Sequence, residues 1–116
     1  MGIRGEHEAA KHLRASGCRV LRRNVRFRFG EIDLIALDGG TVVFVEVKTR
    51  AARDGRGPRP EESVGVRKAR KLAALADAAC RRYGWEDRPK RIDVVAVDWP
   101  TRGRPVVRRH IGAVRV

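Results

Sequence analysis

The sequence predicts an α/β fold, a β-sheet flanked by two helices, and three observations carry that prediction. Apolar residues recur at helical spacing in two stretches, one near the N-terminus and one from about Val64 to Tyr83. Two β-branched runs, Ile32 to Leu37 and Thr41 to Lys48, lie on either side of a glycine turn, and a third, Arg91 to Asp98, follows the second helical stretch. The 116 residues fit one domain, 1–116, because a chain this short has room for a single hydrophobic core.

Residues 5 to 16 place Ala9, Ala10 and Leu13 on one face and end at Ser16-Gly17, which reads as a helix with a glycine stop. Residues 18 to 28 interleave Val20, Val25 and Phe27 with arginines, a partly exposed first strand. The next two runs are separated by Asp38-Gly39-Gly40, whose chemistry tolerates positive φ, and so form a β-hairpin. Its second strand carries Val42 and Phe44 on one face and Val43, Val45 and Val47 on the other, the pattern of a central strand covered on both sides. Residues 50 to 63 are too rich in Arg, Gly and Pro for a helix interior or central strand and read as a basic loop. The second helix turns Leu72, Leu75, Ala76, Ala79 and Tyr83 inward, while Arg67, Lys68, Arg70 and Lys71 crowd its first turns. Cations there oppose the helix dipole, so the arrangement favours a nearby anion. Arg91 to Asp98 is a mostly apolar strand, Trp99 to Gly103 a turn, and Pro105 to Val116 a last basic strand or two.

A formal net charge of +13, from 27 Lys and Arg against 14 Asp and Glu, points to a polyanionic partner, nucleic acid ahead of an anionic membrane or an acidic protein. No run approaches the roughly 18 apolar residues of a membrane span, and the first residues lack a signal-peptide stretch, so a cytoplasmic protein is expected. Cys18 and Cys80 are far apart and outside any paired metal or redox spacing, and read as small buried hydrophobes. His7, His12 and His110 show no ligand spacing, and Ser16 and Ser63 have no nearby nucleophile partners.

If Gly39-Gly40 closes the hairpin, continued pairing sets Asp33 opposite Glu46 and Glu31 opposite Lys48. Strict alternation then projects all four from one face. Two carboxylates meeting there would raise a pKa or need a cation between them, and hard oxygen ligands suit Mg²⁺ or Mn²⁺. Lys48 on the same side is placed to offset charge building on a phosphate oxygen, or to form a salt bridge with Glu31 at the sheet end. Glu6 shares a helical face with Ala9, Ala10 and Leu13, and is either a further ligand or a favourable acid near the helix N-terminus. Asp93, an acid in an apolar strand, either supports the site or caps a strand edge.

With GEIDLIALD at 30 to 38 and FVEVKTR at 44 to 50, the sequence resembles the bacterial YraN or UPF0102 family. Through it, the chain is similar to archaeal Holliday junction resolvases and the restriction-endonuclease-like PD-(D/E)XK superfamily. The resemblance spans nearly the whole chain, from Gly2 and Glu6 through Arg23-Asn24, Pro60, Ser63-Val64 and Lys68 to Leu72, and closes on RIDVV at 91 to 95. It implies a central mixed sheet, Asp33 and Glu46 as metal holders, Lys48 as the catalytic lysine, and Glu6 as the N-terminal helix acid. It further implies phosphodiester hydrolysis on DNA, with branched or recombination and repair intermediates as candidate substrates, and a homodimer, since resolvase-like relatives work as symmetric pairs. The family usually shows Gln where this chain has Ala69, so any contact made by that Gln is missing here. Arg50, Arg53 and Arg56 of the loop, with Arg67, Lys68, Arg70 and Lys71, are the expected phosphate-tracking residues. The alternative is a non-catalytic nucleic-acid-binding or scaffold protein that retains the fold.

Overall fold

A computed structural model of the protein describes residues 2–51 and 64–114. In chain order the elements are α1 (Gly2–Ala15), β1 (Arg19–Phe27), β2 (Gly30–Asp38), β3 (Thr41–Ala51), α2 (Val66–Tyr83), β4 (Lys90–Trp99) and β5 (Val106–Val114). The strands form one five-stranded sheet in the order β1-β2-β3-β4-β5. All neighbours are antiparallel except β3 and β4, which run parallel. Parallel neighbours need a crossover connection, and α2 lies within it. The result is a central mixed sheet flanked by two helices, a topology consistent with the restriction-endonuclease-like fold.

Each helix covers one face. On α1, Ala9, Ala10 and Leu13 are fully buried against Leu34, Ala36, Val43, Val45, Val95 and Val97. On α2, Leu72, Leu75, Ala76 and Ala79 pack against Ile35, Val42, Phe44 and Ile92. Burying each Leu, Ile, Val or Phe side chain is worth about 1.5–3 kcal/mol, so these two layers supply most of the drive to fold. Val42 and Phe44 therefore face α2 and Val43 and Val45 face α1, as the unbroken apolar run of β3 requires. β4 is buried from Ile92 to Val97 for the same reason.

Ser16 and Gly17 stop α1. With φ at +94°, Gly17 lets the chain reverse, and the Cys18 N–H donates back to the Leu13 carbonyl at 2.9 Å. The hairpin closes on Gly39-Gly40, with registers from Asp38↔Thr41 to Leu34↔Val45. Cys18 and Cys80 are buried and free. Among the described residues no helix is long and apolar enough to cross a membrane.

Two boundaries differ from the sequence reading. Arg50, expected at the start of the basic loop, lies inside β3, because the parallel ladder with β4 continues to Ala51↔Trp99. Its Nε donates to Asp98 Oδ1 at 3.1 Å, and Arg108 Nη1 donates to Asp98 Oδ2 at 2.8 Å. Burial pushes the Asp98 carboxyl up, but these two guanidiniums outweigh it and hold the pKa below the ordinary value. The C-terminal segment forms one strand, β5, among the described residues. Arg53 and Arg56, and the stretch 52–63 that contains them, lie outside those residues.

Asp93 is fully buried and ties strands together. Arg91 Nε donates to Asp93 Oδ1 at 3.0 Å, the Gly112 N–H of β5 donates to the same oxygen at 2.9 Å, and Arg91 Nη2 reaches Asp38 at 2.8 Å. Asp93 thus bridges β4 to β5 and, through Arg91, to the end of β2.

Candidate metal centre

The site forms where β2 and β3 stop pairing. Gly30 and Ile32 face α2, since a Cβ on Gly30 would meet Leu75 and Ile32 packs in the α2 layer. Ile35 also faces α2, whereas Leu34 and Ala36 face α1. Two consecutive residues, Asp33 and Leu34, therefore turn to the α1 side, which is a bulge. The β1–β2 ladder likewise passes over Asn24 and Asp33, and Asn24 adopts φ +50°, a left-handed conformation that Asn tolerates.

This bulge overturns the expected geometry. Regular alternation would have put Glu31, Asp33, Glu46 and Lys48 on one face, but a one-residue irregularity sends everything before it to the other side. Glu31 and Asp33 point toward α1, whereas Glu46 and Lys48 follow Val42 and Phe44 toward α2. Neither Asp33↔Glu46 nor Glu31↔Lys48 occurs in the ladder, which ends at Leu34↔Val45. In place of a backbone partner, the Val47 N–H donates to Asp33 Oδ2 at 2.7 Å.

What the fold gathers instead is Glu6, Glu31 and Asp33, with one carboxylate oxygen from each lying within 4.8 Å of the others. Glu6 reaches the group because α1 lies very close to β3: a Cβ on Gly5 would collide with Thr49 Cγ2, so only glycine allows that approach. In the amide orientation that satisfies its donors, Asn24 Nδ2 lies 2.9 Å from Glu31 Oε1 and 2.8 and 2.7 Å from the two Glu6 oxygens. Glu6, Glu31 and Asp33, with Val47 and Thr49, line a cavity of about 230 Å³.

The electrostatics of the trio favour a cation. Burial, followed by the charges of Glu46, Glu6 and Glu31, pushes Asp33 up to about 7 against the opposing Val47 hydrogen bond. Burial and then Glu31 push Glu6 up as well, while Arg23 pulls it down. Of the acids around Asp33, Glu46 acts on it most strongly, so it remains within electrostatic reach across β3. Its own carboxylate, however, is 3.0 Å from Lys68 Nζ of α2, with 12% of the Glu46 side chain exposed. Glu46 is thus the anion that answers the crowd of cations at the start of α2, where no acid occupies the first turn.

Oxygen donors converging on a space large enough for an ion and its waters fit Mg²⁺ or Mn²⁺, which prefer carboxylates and retain several waters. Sequence reasoning named Asp33, Glu46 and Glu6 as ligands and placed Glu31 beside them only as a support opposite Lys48; the group that the fold gathers has Glu31 where Glu46 was expected. Lys48 makes no ion pair among the described residues and lies on the Glu46 side of the strand. Arg67, Arg70 and Lys71 are exposed on the first turns of α2, and only Lys68 of that group is engaged with an acid among the described residues.

A mixed sheet with a helix on each face, and acids collected where its central hairpin parts, is an architecture resembling the PD-(D/E)XK nuclease superfamily. The chain belongs to uncharacterised protein family UPF0102, whose model matches residues 5–97. It is 54% identical to a UPF0102 protein of Symbiobacterium thermophilum over 104 residues, covering 90% of this chain and 86% of that one. It is 48% identical to one of Clavibacter michiganensis over 107 residues (92% and 89%) and 44% identical to one of an Arthrobacter species over 114 residues (98% and 94%).

Proposed function

We propose that the protein is a divalent-metal-dependent nuclease acting on DNA, with Glu6, Glu31 and Asp33 holding Mg²⁺ or Mn²⁺. The observation that carries this reading is the convergence of three carboxylates on one cavity, with Asp33 pushed up to about 7 by burial and then by its acidic neighbours. When bound, such an ion supplies Lewis-acid polarisation of a phosphate oxygen and lowers the pKa of a water. The chain's own residues do the rest. Asn24 holds Glu6 and Glu31 together through its amide. Asp33, fixed by the Val47 N–H and pushed up to about 7 by burial, would hold the ion in its ionised form. A phosphodiester entering where β2 and β3 part meets the trio on one side of β3 and Glu46 and Lys48 on the other. There the Lys48 ammonium offsets negative charge developing on the phosphorus oxygens. The excess of Lys and Arg draws the polyanion in and makes its binding steeply dependent on salt.

The test is calorimetric titration of Mn²⁺ and Mg²⁺ into the protein, alongside cleavage assays on branched, flapped, single-stranded and duplex DNA. Metal binding that disappears in Glu6→Gln and Asp33→Asn, together with cleavage that follows the metal, supports the proposal. Absence of metal binding by the unmodified protein defeats it. The Lys68–Glu46 ion pair favours a second reading, a nucleic-acid-binding protein without turnover, because it leaves Glu46 neutralised by the protein itself. Metal-independent DNA binding with no cleavage of any substrate supports that reading.

A further inference from the structure

Beside the acidic trio lies a second concavity of a different chemical character. It has a volume of about 460 Å³, within the range of small-ligand sites, and its walls come from the first turns of α1, from β1 and from the segment joining β4 to β5. Ile3, Trp99 and Pro105 make it apolar, while Arg4, Arg23 and Arg104 make it cationic. Among the described residues none of these three guanidiniums forms a salt bridge, and the acid on this wall is Glu8. Ile3, 85% exposed, offers its side chain to whatever enters the cleft. The Arg4 guanidinium lies over the Trp99 ring, 4.8 Å from its centroid, and Trp99 Nε1 is buried without a hydrogen-bond partner, a rarity in folded proteins.

We infer that this cleft is a subsite for one unpaired nucleotide of a single-stranded nucleic acid, an inference that rests on the nucleic-acid reading above. A nucleotide needs an apolar surface for its base and cations for its phosphates, and the cleft offers both within one small concavity. Base-paired nucleotides are held in a stack and cannot enter a recess of this size, so the substrate class narrows to single strands, flaps or frayed ends. The position relative to the trio fits such a path. Glu6 lies one residue before His7 of the cleft wall, and Arg23, which lowers the Glu6 pKa, precedes the Asn24 that holds the acids. A strand seated in the cleft thus rests on residues that adjoin Glu6 of the trio in α1 and Asn24 in β1. The concavity also continues along α1 to Glu8 and Lys11 past Arg104 and Pro105, so the strand can run on rather than having to end there.

The experiment uses Trp99 as reporter in a Trp85→Phe background, in EDTA, with a ten-residue oligothymidylate, a duplex of equal length, and each probe labelled for anisotropy. The inference expects saturable quenching of Trp99 by the single strand, none by the duplex, and at least five-fold weaker single-strand binding in Arg104→Glu. Circular dichroism checks that each variant is folded. Oligothymidylate binding seen by anisotropy with Trp99 silent overturns the cleft, as does equal quenching by the duplex. Unchanged affinity in both Arg104→Glu and Arg4→Glu overturns it as well. Because metal is absent, failure of the trio to bind Mn²⁺ leaves this result standing, whereas no anisotropy change with any probe removes the nucleic-acid reading and the cleft together.

Discussion

Asp33→Asn should make the metal-free protein more stable, and by an amount that depends on pH. The variant keeps an oxygen to accept the Val47 N–H but cannot ionise. In the folded protein Asp33 titrates near 7, against 3.8 ordinarily, so between those values the native state binds more protons than the unfolded one. A carboxyl raised in this way destabilises the fold as pH climbs from about 4, and the loss levels off above about 7. The full span of the shift corresponds to about 4 kcal/mol, of which about 2–3 kcal/mol falls between pH 5 and pH 8. Differential scanning calorimetry in EDTA should therefore show the advantage of D33N growing over that interval, by about 8 °C in Tm at the scale of a domain this size. Adding Mn²⁺ at pH 8 should narrow the gap, since a ligand at a hundred times its Kd stabilises the unmodified protein by about 2.7 kcal/mol and finds a weakened site in the variant. A Tm difference that stays constant from pH 5 to pH 8 would refute the claim that burial and neighbouring acids hold Asp33 in this state.

Three further outcomes follow from other contacts. Lys68→Ala should cost about 1–2 kcal/mol in urea unfolding, because it leaves the largely buried Glu46 carboxylate without its partner, and adding Glu46→Gln should recover most of that loss. Asp93→Ala should cost about 3–5 kcal/mol, since Arg91 loses its buried partner and the Gly112 N–H its acceptor; a loss below 1 kcal/mol would show that the cluster is not holding β4 and β5 together. Gly5→Ala should lower stability by about 1–3 kcal/mol by forcing α1 away from Thr49, and calorimetry should show weaker Mn²⁺ binding as Glu6 moves with the helix.

Most of the fold was legible because its signals are local. The period of Ala9, Ala10 and Leu13, the Gly39-Gly40 loop, the two-sided apolar run of β3 and the inward face of α2 each follow from neighbours in sequence. The site was legible only in part. Glu6 could be singled out because it borders a buried helical face, and Asp33 through its expected pairing with Glu46 and the resemblance carried by GEIDLIALD. The same-face pairing of Asp33 with Glu46 failed because it extended a regular register through a bulge, at a point where the ladder to β1 passes over Asn24. Asn24 stood in view beside Arg23 as part of the family pattern, yet nothing local marked its φ of +50° or its hold on two glutamates. Lys68–Glu46 and Arg50–Asp98 were hidden for a similar reason, since each joins residues brought together only by the crossover through α2.

The outermost strand has a bearing on how copies of this protein can meet. β1 forms one margin of the sheet, and Arg19, Arg22, Arg23 and Arg26 are exposed along it. A bare margin is where another strand would ordinarily add itself, and a row of guanidiniums is one way natural sheets discourage that. Two copies approaching margin to margin would set one row of arginines against another. Self-association along that rim is therefore disfavoured, and more so at low ionic strength, where like charges repel over a longer range.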